Sequence, residues 1–260
     1  MDGSPGLPEA LRRFDLTGRV AVVTGASAGL GAGLAEALAS VGARVALVAR
    51  RADRLGALAD KIDGLAVACD LLDPDRLAAV VPAVVDGLGP PEILVNAAGD
   101  LVSRDRAEAE PPELIRRTLE LNLVAPMRLA QDCFPHMVAA GRGSVVFVSS
   151  ISGRVGVPGI PQASYAASKL GLSGLTTELA VQWARHAIRV NTLAPGFFRS
   201  EITDGMYEDG RSLAWLERNT PLPMTGTVDD LVGAVLWLVS DAGRYVTGQT
   251  VVVDGGWTAR

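Results

Sequence analysis

The sequence predicts an α/β fold, a single doubly wound domain with a seven-stranded parallel sheet and helices on both faces. Two observations support this prediction. Short, wholly apolar runs alternate with longer helical segments, and such runs are typical of strands covered on both faces. No linker or internal repeat divides residues 1–260. We therefore expect one domain, with an irregular extension at 1–17 that docks through Phe14 and Leu16.

Composition limits the function classes. The chain is 48% hydrophobic and 5% aromatic, which predicts a core of Ala, Val and Leu. Its net charge of −5 argues against a general binder of nucleic acid or of anionic membranes. Cys69 and Cys133 lie far apart, without a CxxC pair or clustered His, so neither a disulfide framework nor a metal site is suggested. Because we find no signal peptide and no long apolar run, we expect a cytoplasmic protein.

The first predicted strand, Val20–Val23, leads directly into a glycine-rich turn. This turn, Thr24-Gly25-Ala26-Ser27-Ala28-Gly29-Leu30-Gly31, precedes a predicted helix at 32–41. Glycines let the backbone approach a pyrophosphate, and free N–H groups at a helix start attract its charge. The alternative is a tight turn without a ligand, but the position at a strand-to-helix junction favours dinucleotide binding. We assign Gly33 to helix packing.

The second strand, Arg44–Ala49, ends in the pair Arg50-Arg51. A site that prefers NAD usually places Asp or Glu near this point to hold the ribose hydroxyls, and no acid is available at this strand tip. Two guanidiniums can instead donate charged hydrogen bonds to a 2′-phosphate. We therefore predict NADP as the preferred coenzyme, with NAD as the other option. The alternative is a solvated arginine pair at a helix start, and Ala28 adds no second basic residue to the glycine turn.

The third and fourth strands also end in polar residues. Leu65–Ala68 is followed closely by Asp70, which we expect either to accept from an adenine amino group or to act as a turn or N-cap acid. After a helix at 75–87, the strand Ile93–Val95 ends at Asn96, at the edge where ligands of open α/β sheets bind. Asn96 is as compatible with bracing the backbone as with contacting a cofactor.

A long helical pattern at 112–140 has Asn122 near its centre. Asparagine is a mediocre helix former, and its burial between Leu121 and Leu123 would require polar partners. The sequence therefore predicts a bound water or a local distortion of the helix. The following strand, Val145–Val148, delivers Ser149-Ser150 to the same edge of the sheet.

Tyr165 and Lys169 form the pair around which the predicted site is built. They are four residues apart on a predicted helix that runs to about Ala187, so their side chains share one face. Lys61 and Lys169 are the two lysines among 24 Lys and Arg residues, which makes a lysine at this place informative. A nearby cation can lower the pKa of a phenol, and such a tyrosine can exchange a proton with an alcohol or ketone. The alternative is a surface lysine on a helix whose tyrosine packs inward.

The last third of the chain interrupts the regular alternation. After a strand at Arg189–Leu193, residues 197–222 interleave aromatic and acidic side chains. We interpret this segment as an amphipathic substrate flap, because segments of this kind in compact domains are usually functional. A helix at 228–240 and the strand Thr250–Val253 complete the seven strands.

Taken in order, these motifs resemble those of the classical short-chain dehydrogenase/reductases over roughly residues 15–257. The matching motifs are Thr24-Gly25-x-x-x-Gly29-x-Gly31, Asn96-Ala97-Ala98-Gly99, Asn122, Ser150, Tyr165-x-x-x-Lys169, Asn191 and Pro195-Gly196. The resemblance implies a Rossmann-type fold in which Tyr165 is the proton donor or acceptor and Ser150 steadies the substrate oxygen. It further implies that Lys169 holds the nicotinamide ribose and favours tyrosinate, and that Asn122 positions a water in a proton relay.

The predicted cofactor-binding residues are Gly25, Ser27, Leu30, Gly31, Arg50, Arg51, Asp70, Leu71, Asn96, Tyr165, Lys169, Phe198 and Ser200. By the resemblance, Phe198 offers a backbone contact to the carboxamide and Ser200 takes the usual Thr position. The chain departs from the family pattern in two places. Ala97 replaces an Asn, and the spacing from Ser150 to Tyr165 is longer than in many members, which makes Ser152 a minor rival for the serine role.

The predicted function is that of an oxidoreductase that transfers a hydride between NADP(H), or NAD(H), and a secondary alcohol or ketone. The segments 14–18 and 197–201 are similar to gluconate dehydrogenase-like members, which implies a sugar acid or another hydroxy or keto compound as substrate. The resemblance also implies a homotetramer, without a nucleic-acid or membrane partner.

Two alternatives stay open. A 3-oxoacyl-acyl carrier protein reductase would need a basic patch near the pocket mouth, for which Arg128, Arg185 and Arg189 are candidates. A protein of another class would bind a dinucleotide without catalysis.

Overall fold

The computed structural model describes residues 8–199 and 203–259. The strands within these residues are β1 (Val20–Thr24), β2 (Arg44–Ala49), β3 (Leu65–Ala68), β4 (Ile93–Asn96), β5 (Gly143–Val148), β6 (Ile188–Pro195) and β7 (Thr250–Val253). They form one parallel sheet in the order β3-β2-β1-β4-β5-β6-β7. The predicted fold class is therefore confirmed.

Helices cover both faces of this sheet. They are α1 (Glu9–Arg12), α2 (Gly29–Ser40), α3 (Ala52–Ile62), α4 (Pro74–Ala78), α5 (Val80–Leu88), α6 (Pro112–Leu119), α7 (Ala125–Ala140), α8 (Ala163–Trp183), α9 (Asp204–Glu208), α10 (Gly210–Asn219) and α11 (Asp229–Val239). One apolar core packs α5, α7 and α8 against the sheet, and a second packs α2, α3 and α11 against its other face. Because both faces are covered, β1, β4 and β5 are buried throughout, as wholly apolar runs predict.

Two of the predicted helices have a more detailed structure. The segment predicted as one helix at 75–87 consists of α4 and α5, which meet at Ala79. The long helix at 112–140 contains one turn of π-helix at Glu120–Val124, between α6 and α7. This turn includes the fully buried Asn122, so the predicted local distortion is confirmed.

The chain reverses its direction of winding between β1 and β4. From β1 it proceeds outward to β2 and β3, and it then crosses back to place β4 on the other side of β1. The carboxyl ends of β1 and β4 are tied together, because the Ala98 backbone N–H donates to Thr24 Oγ1 at 3.0 Å. Crevices at such a switch point are the usual ligand sites of open α/β sheets.

The predicted flap is partly helical where the structure describes it. It contains α9 and α10, and it packs on the end of the sheet through an aromatic cluster of Phe197, Trp215 and Trp257. The extension before β1 also docks, since the Leu16 side chain is fully buried. Both interpretations of these segments as packed additions to the sheet agree with the structure.

Candidate active site

The glycine turn between β1 and α2 has the geometry that phosphate binding requires. Gly25 and Gly29 have φ angles of +70° and +55°, a region that favours glycine. A Cβ at Gly31 would clash with the Gly25 backbone carbonyl, and a Cβ at Gly25 would lie 2.9 Å from Ala98 Cα. No side chain caps the start of α2, so its N–H groups remain available to an anion.

A cleft of about 490 Å³ lies above this turn. It is lined by eight of the predicted cofactor-binding residues, namely Gly25, Ser27, Leu30, Gly31, Arg50, Arg51, Asp70 and Leu71. Ala97, Ala98 and Gly99 form the opposite side of this cleft. The backbones of the two strand ends therefore form a cradle whose shape and donors suit a dinucleotide.

Arg50 and Arg51 occupy the end of the cleft after β2. The Arg51 guanidinium donates to Ser27 Oγ from Nε at 3.1 Å and from Nη2 at 2.8 Å, which holds it over the glycine turn. Arg50 is exposed and also lines the cleft. Asp70 forms a turn in which its Oδ1 accepts from the Leu72 N–H, yet it stays at the cleft wall, so the structure is compatible with both of its predicted roles.

Asn96 serves the backbone rather than the cleft. Its side chain is 2% exposed, and its Nδ2 donates to the Pro126 carbonyl at 3.3 Å. The side chain does not line the cleft. Of the two predicted roles for Asn96, the structure therefore favours bracing of the β4 end over a side-chain contact with the cofactor.

The π-turn directs Asn122 toward the end of β4. Its Oδ1 accepts from the Asp100 N–H at 3.0 Å, and its Nδ2 donates to the Asp100 carbonyl at 2.9 Å and to Ser168 Oγ at 3.2 Å. Ser168 in turn donates to the Tyr165 carbonyl. The polar partners that a buried asparagine requires are thus protein groups, and they connect Asn122 to the helix of Tyr165 and Lys169.

Tyr165, Lys169 and Ser150 converge where β5 meets α8. Lys169 is 4% exposed, its Nζ donates to the Val148 carbonyl at 2.9 Å, and the same Nζ lies 5.6 Å from the centre of the Tyr165 ring. Ser150 is hydrogen-bonded to Tyr165, which supports Ser150 over its rival Ser152. A Cβ at Gly99 would lie 2.8 Å from Lys169 Nζ and 3.2 Å from Asn122 Oδ1, so this part of the backbone is close to both side chains.

The pKa of Tyr165 contradicts one expectation. Burial raises the pKa of Tyr165 to about 12. The hydrogen bond with Ser150 lowers this pKa, and the Asp100 carboxylate raises it. The expected lowering by the Lys169 cation is not among the causes that set the pKa of Tyr165, and burial lowers the pKa of Lys169 to about 8. Desolvation therefore sets the direction of both pKa shifts.

Tyr165 and Ser150 open onto a small apolar pocket of about 120 Å³, the candidate catalytic pocket. Tyr165, Ser150 and Phe198 line it, together with Met206 from the flap. Phe198 is buried, and its carbonyl accepts from Thr203 Oγ1 at 2.5 Å. Ser200, the remaining predicted cofactor contact, lies outside the described residues.

Arg104 is a site residue that the sequence reasoning missed. It lines both the dinucleotide cleft and the catalytic pocket, and it is the cation that the two cavities share among the described residues. Arg104 follows the Asn96-Ala97-Ala98-Gly99 motif by a few residues. Its position in a loop directly after a ligand-binding strand end could have indicated it.

Neither a metal cluster nor a membrane span is found in the described part of the chain. Groups of three or more His, Cys, Asp or Glu in a metal-binding arrangement are absent from it. Among the described helices we find no candidate for a transmembrane segment.

Comparisons with known proteins agree with this geometry. A family model described as enoyl-(acyl carrier protein) reductase matches residues 25–258. Gluconate 5-dehydrogenase from Gluconobacter oxydans (strain 621H) is 37% identical over 254 residues, which cover 94% of this chain and 96% of the relative. A 3-oxoacyl-[acyl-carrier-protein] reductase from Rickettsia conorii is 34% identical over 245 residues, covering 94% of this chain and 98% of the relative.

Solved structures of dehydrogenases are also similar to this chain. A short-chain type dehydrogenase/reductase from Mycobacterium marinum has a TM-score of 0.90 and 35% identity, covering 97% of this chain and 100% of that one. A gluconate 5-dehydrogenase from Burkholderia cenocepacia J2315, in complex with NADP and tartrate, has a TM-score of 0.90 and 33% identity over the same shares of the two chains.

Proposed function

The chain belongs to the short-chain dehydrogenase/reductase family, and from this premise we propose that Tyr165 transfers the proton in its reaction. As a member of that family, the protein is an oxidoreductase that acts on CH–OH groups with a nicotinamide dinucleotide. The convergence of Ser150, Tyr165, Lys169 and Asn122 at the end of the dinucleotide cleft is the observation that supports the proposal.

The roles of these residues follow from their contacts. When bound, the dinucleotide supplies or accepts the hydride. Tyr165 gives a proton to the substrate oxygen during reduction and takes it back during oxidation, while the Ser150 hydroxyl holds that oxygen. Lys169 is the buried cation nearest the phenol. Asn122 keeps the strand end at Asp100 in register with α8, and in the proposed relay it positions a water.

Replacement of Tyr165 by Phe tests the proton transfer. Tyr165→Phe should lower kcat by at least about 100-fold, the range expected for loss of a general acid, with the Kd of NADP(H) unchanged. Tyr245→Phe is the control, because the Tyr245 side chain is fully exposed. Turnover of Tyr165→Phe at the wild-type rate would refute the assignment.

We further propose that NADP is preferred over NAD. The support is the position of Arg50 and Arg51 at the adenosine end of the cleft and the NADP in the related Burkholderia structure. Arg50→Ala and Arg51→Ala should each weaken NADP binding roughly tenfold or more and leave NAD binding nearly unchanged. Arg44→Ala, at the opposite end of β2, is the matched control. Equal losses for both coenzymes would mean that neither arginine binds the phosphate.

For the substrate we propose a sugar acid or a related hydroxy acid. Relatives named gluconate 5-dehydrogenase support this class, and Arg104 is a cation at the pocket that can bind a carboxylate. Arg104→Gln should raise KM for gluconate more than KM for a neutral polyol, whereas Arg106→Gln, two residues along the same exposed loop, should affect neither. A preference for neutral polyols in the wild type would argue against the sugar-acid class.

The second candidate is reduction of 3-oxoacyl groups on acyl carrier protein. It is favoured by a cavity of about 540 Å³ behind Phe197 and Phe198, which has mainly apolar walls, including Leu213, Leu216 and Met224. Against it, Arg189 cannot belong to the expected basic patch, because its guanidinium donates to the Leu238, Ser240 and Val246 carbonyls. Turnover of an acetoacetyl thioester at a higher kcat/KM than gluconate would establish this candidate.

We also propose a homotetramer and a cytoplasmic location for the single-domain chain. Exposed apolar side chains on α7 and α8 support the homotetramer, with Val181 76% and Leu170 56% exposed. The two free cysteines support the cytoplasmic location, because thiols are kept reduced in the cytosol. Light scattering should give four times the chain mass, and Val181→Asp should lower it.

A further inference from the structure

Glu110 is a buried carboxylate that does not line the dinucleotide cleft or the catalytic pocket. It is 9% exposed and lies in the loop that precedes α6. Burial of a carboxylate is costly unless partners compensate for lost water. The identity of its partners therefore indicates what this residue does.

Both oxygens of Glu110 bind the same residue of the catalytic helix. Ser164 Oγ donates to Glu110 Oε1, and the Ser164 backbone N–H donates to Oε2 at 3.3 Å. Ser164 is itself buried, at 7% exposure. Glu110 is thus hydrogen-bonded to the second residue of α8, although it lies 54 residues earlier in the chain.

This contact supplies the cap that α8 otherwise lacks. The N-cap residue, Gln162, makes no side-chain hydrogen bond to the helix, although the first N–H groups of a helix have no partner within it. A carboxylate at this end satisfies one of them and interacts favourably with the helix dipole. The loop before α8 contains Gly156 and Gly159, which allow backbone freedom, next to Pro158 and Pro161, which restrict it.

Tyr165 directly follows Ser164 and lies in the first turn of α8. Helix ends fray more readily than helix centres. Lys169, one turn further along, is held by its bond to the Val148 carbonyl. The position of the phenol relative to this amine and to Ser150 therefore depends on whether the first turn stays closed.

We propose that Glu110 is a positioning residue that fixes Tyr165 for proton transfer by capping α8 through Ser164. This inference rests on the proposed role of Tyr165. Glu110 touches neither substrate nor cofactor in this proposal, and it acts through hydrogen-bond geometry rather than through its charge on the phenol.

The experiment compares Glu110→Ala with Glu110→Gln in the full chain. Glu110→Ala should lower kcat roughly ten- to 100-fold, the range for small misplacements of a reacting group, while KM and the Kd of NADP(H) stay within about twofold. Glu110→Gln keeps an oxygen that can accept from Ser164, so it should restore kcat to within about threefold of wild type. The pH profile of Glu110→Gln should match that of the wild type.

Glu92→Ala is the matched control. Glu92 is also a largely buried carboxylate, but it accepts from Arg19 and Arg142 at the opposite edge of the sheet. Glu92→Ala should lower Tm by a few degrees, through the lost ion pairs, and leave kcat unchanged. An equal loss of kcat in Glu92→Ala and Glu110→Ala would reduce Glu110 to a purely structural role and overturn the proposal.

The remaining outcomes of this experiment either support or overturn the proposed role of Glu110. Wild-type kcat in Glu110→Ala overturns the inference, and so does a Glu110→Gln variant as slow as Glu110→Ala. If Glu110→Ala does not fold, Ser164→Ala removes only the hydroxyl: a reduced kcat with intact NADP(H) binding supports the proposal, and an unchanged kcat overturns it. Tyr165→Phe, assayed in parallel, separates the two claims, because its full activity would refute the proposed function itself.

Discussion

Burial acts in opposite directions on the two titratable groups of the site. It raises the pKa of Tyr165 to about 12 and lowers the pKa of Lys169 to about 8. At pH 7 both groups therefore keep their protons, so the site holds a neutral phenol and an ammonium group. In the proposed mechanism this state can donate a proton to a ketone, whereas alcohol oxidation first requires loss of the phenolic proton.

The two directions of the reaction should therefore depend differently on pH. Between pH 6 and pH 8, below the pKa of Tyr165, the fraction of tyrosinate rises about tenfold per pH unit. We expect kcat/KM for alcohol oxidation to rise with pH over this range and kcat/KM for ketone reduction to remain nearly constant. Initial rates in both directions in a buffer series of constant ionic strength measure this. A flat oxidation profile would show that Tyr165 is already ionised near pH 6.

Lys169 should reduce the stability of the fold. Its folded-state pKa of about 8 lies below the ordinary lysine pKa of 10.5, so the folded state disfavours the proton. The penalty is fully present below pH 8 and is lost as pH rises toward 10.5. Lys169→Met should therefore raise the free energy of unfolding at pH 7 by roughly 1–3 kcal/mol, after allowing for the lost bond to the Val148 carbonyl, while abolishing turnover.

Thermal unfolding at two pH values tests the direction in which the destabilisation by Lys169 changes with pH. The difference in Tm between Lys169→Met and the wild type should be large at pH 7 and smaller at pH 9.5. A Lys61→Met variant provides the control, since Lys61 is a surface residue paired with Glu36 and should show little change at either pH. A difference that grows with pH would contradict the lowered pKa of Lys169.

At the scale of the elements, the strand–turn–helix unit of β1 and α2 depends on close backbone contact. A Cβ at Gly31 would meet the Gly25 carbonyl, and backbone atoms cannot move aside as a flexible side chain can. Gly31→Ala should therefore open the turn, lower the free energy of unfolding by about 1–3 kcal/mol and weaken NADP(H) binding. Calorimetry of unfolding and of NADP(H) binding measures both effects.

Gly56 offers a matched control within α3. A Cβ at Gly56 meets nothing within 4 Å, and its φ is not positive. Gly56→Ala should therefore stabilise the protein by roughly 0.5–1 kcal/mol through helix propensity, with unchanged NADP(H) binding. If Gly31→Ala behaved like Gly56→Ala, the turn would not require the close approach that dinucleotide binding implies.

At the scale of the whole molecule, periodicity and motif order predicted the fold, because short apolar runs mark strands such as β1, β4 and β5, which are buried throughout. They also placed the cleft residues, since the carboxyl ends of parallel strands share one edge. Three features were not predictable. The raised pKa of Tyr165 depends on the burial of the assembled site. Arg104 lines a pocket with residues distant in sequence, and Glu110 is hydrogen-bonded to Ser164, 54 residues away. No local pattern reports such contacts.

Labelling of the two cysteines can show whether the whole protein unfolds in one cooperative step. Cys69 and Cys133 are 2% and 0% exposed and belong to the same apolar core. Burial raises the pKa of Cys69 to about 11 and also raises the pKa of Cys133. Because the thiolate is the reactive form, a thiol reagent should modify neither cysteine in the native state. Labelling should require unfolding, and mass spectrometry should find both sites modified at the same rate.

NADP(H) makes this prediction quantitative. A ligand at 100 times its Kd stabilises the folded state by about 2.7 kcal/mol, which should slow labelling about 100-fold at both cysteines. Cys69 follows the edge strand β3 and lines the cleft, whereas Cys133 lies in α7. Faster labelling of Cys69 than of Cys133, protected by NADP(H) at Cys69 alone, would show instead that the edge of the sheet opens locally around the cofactor.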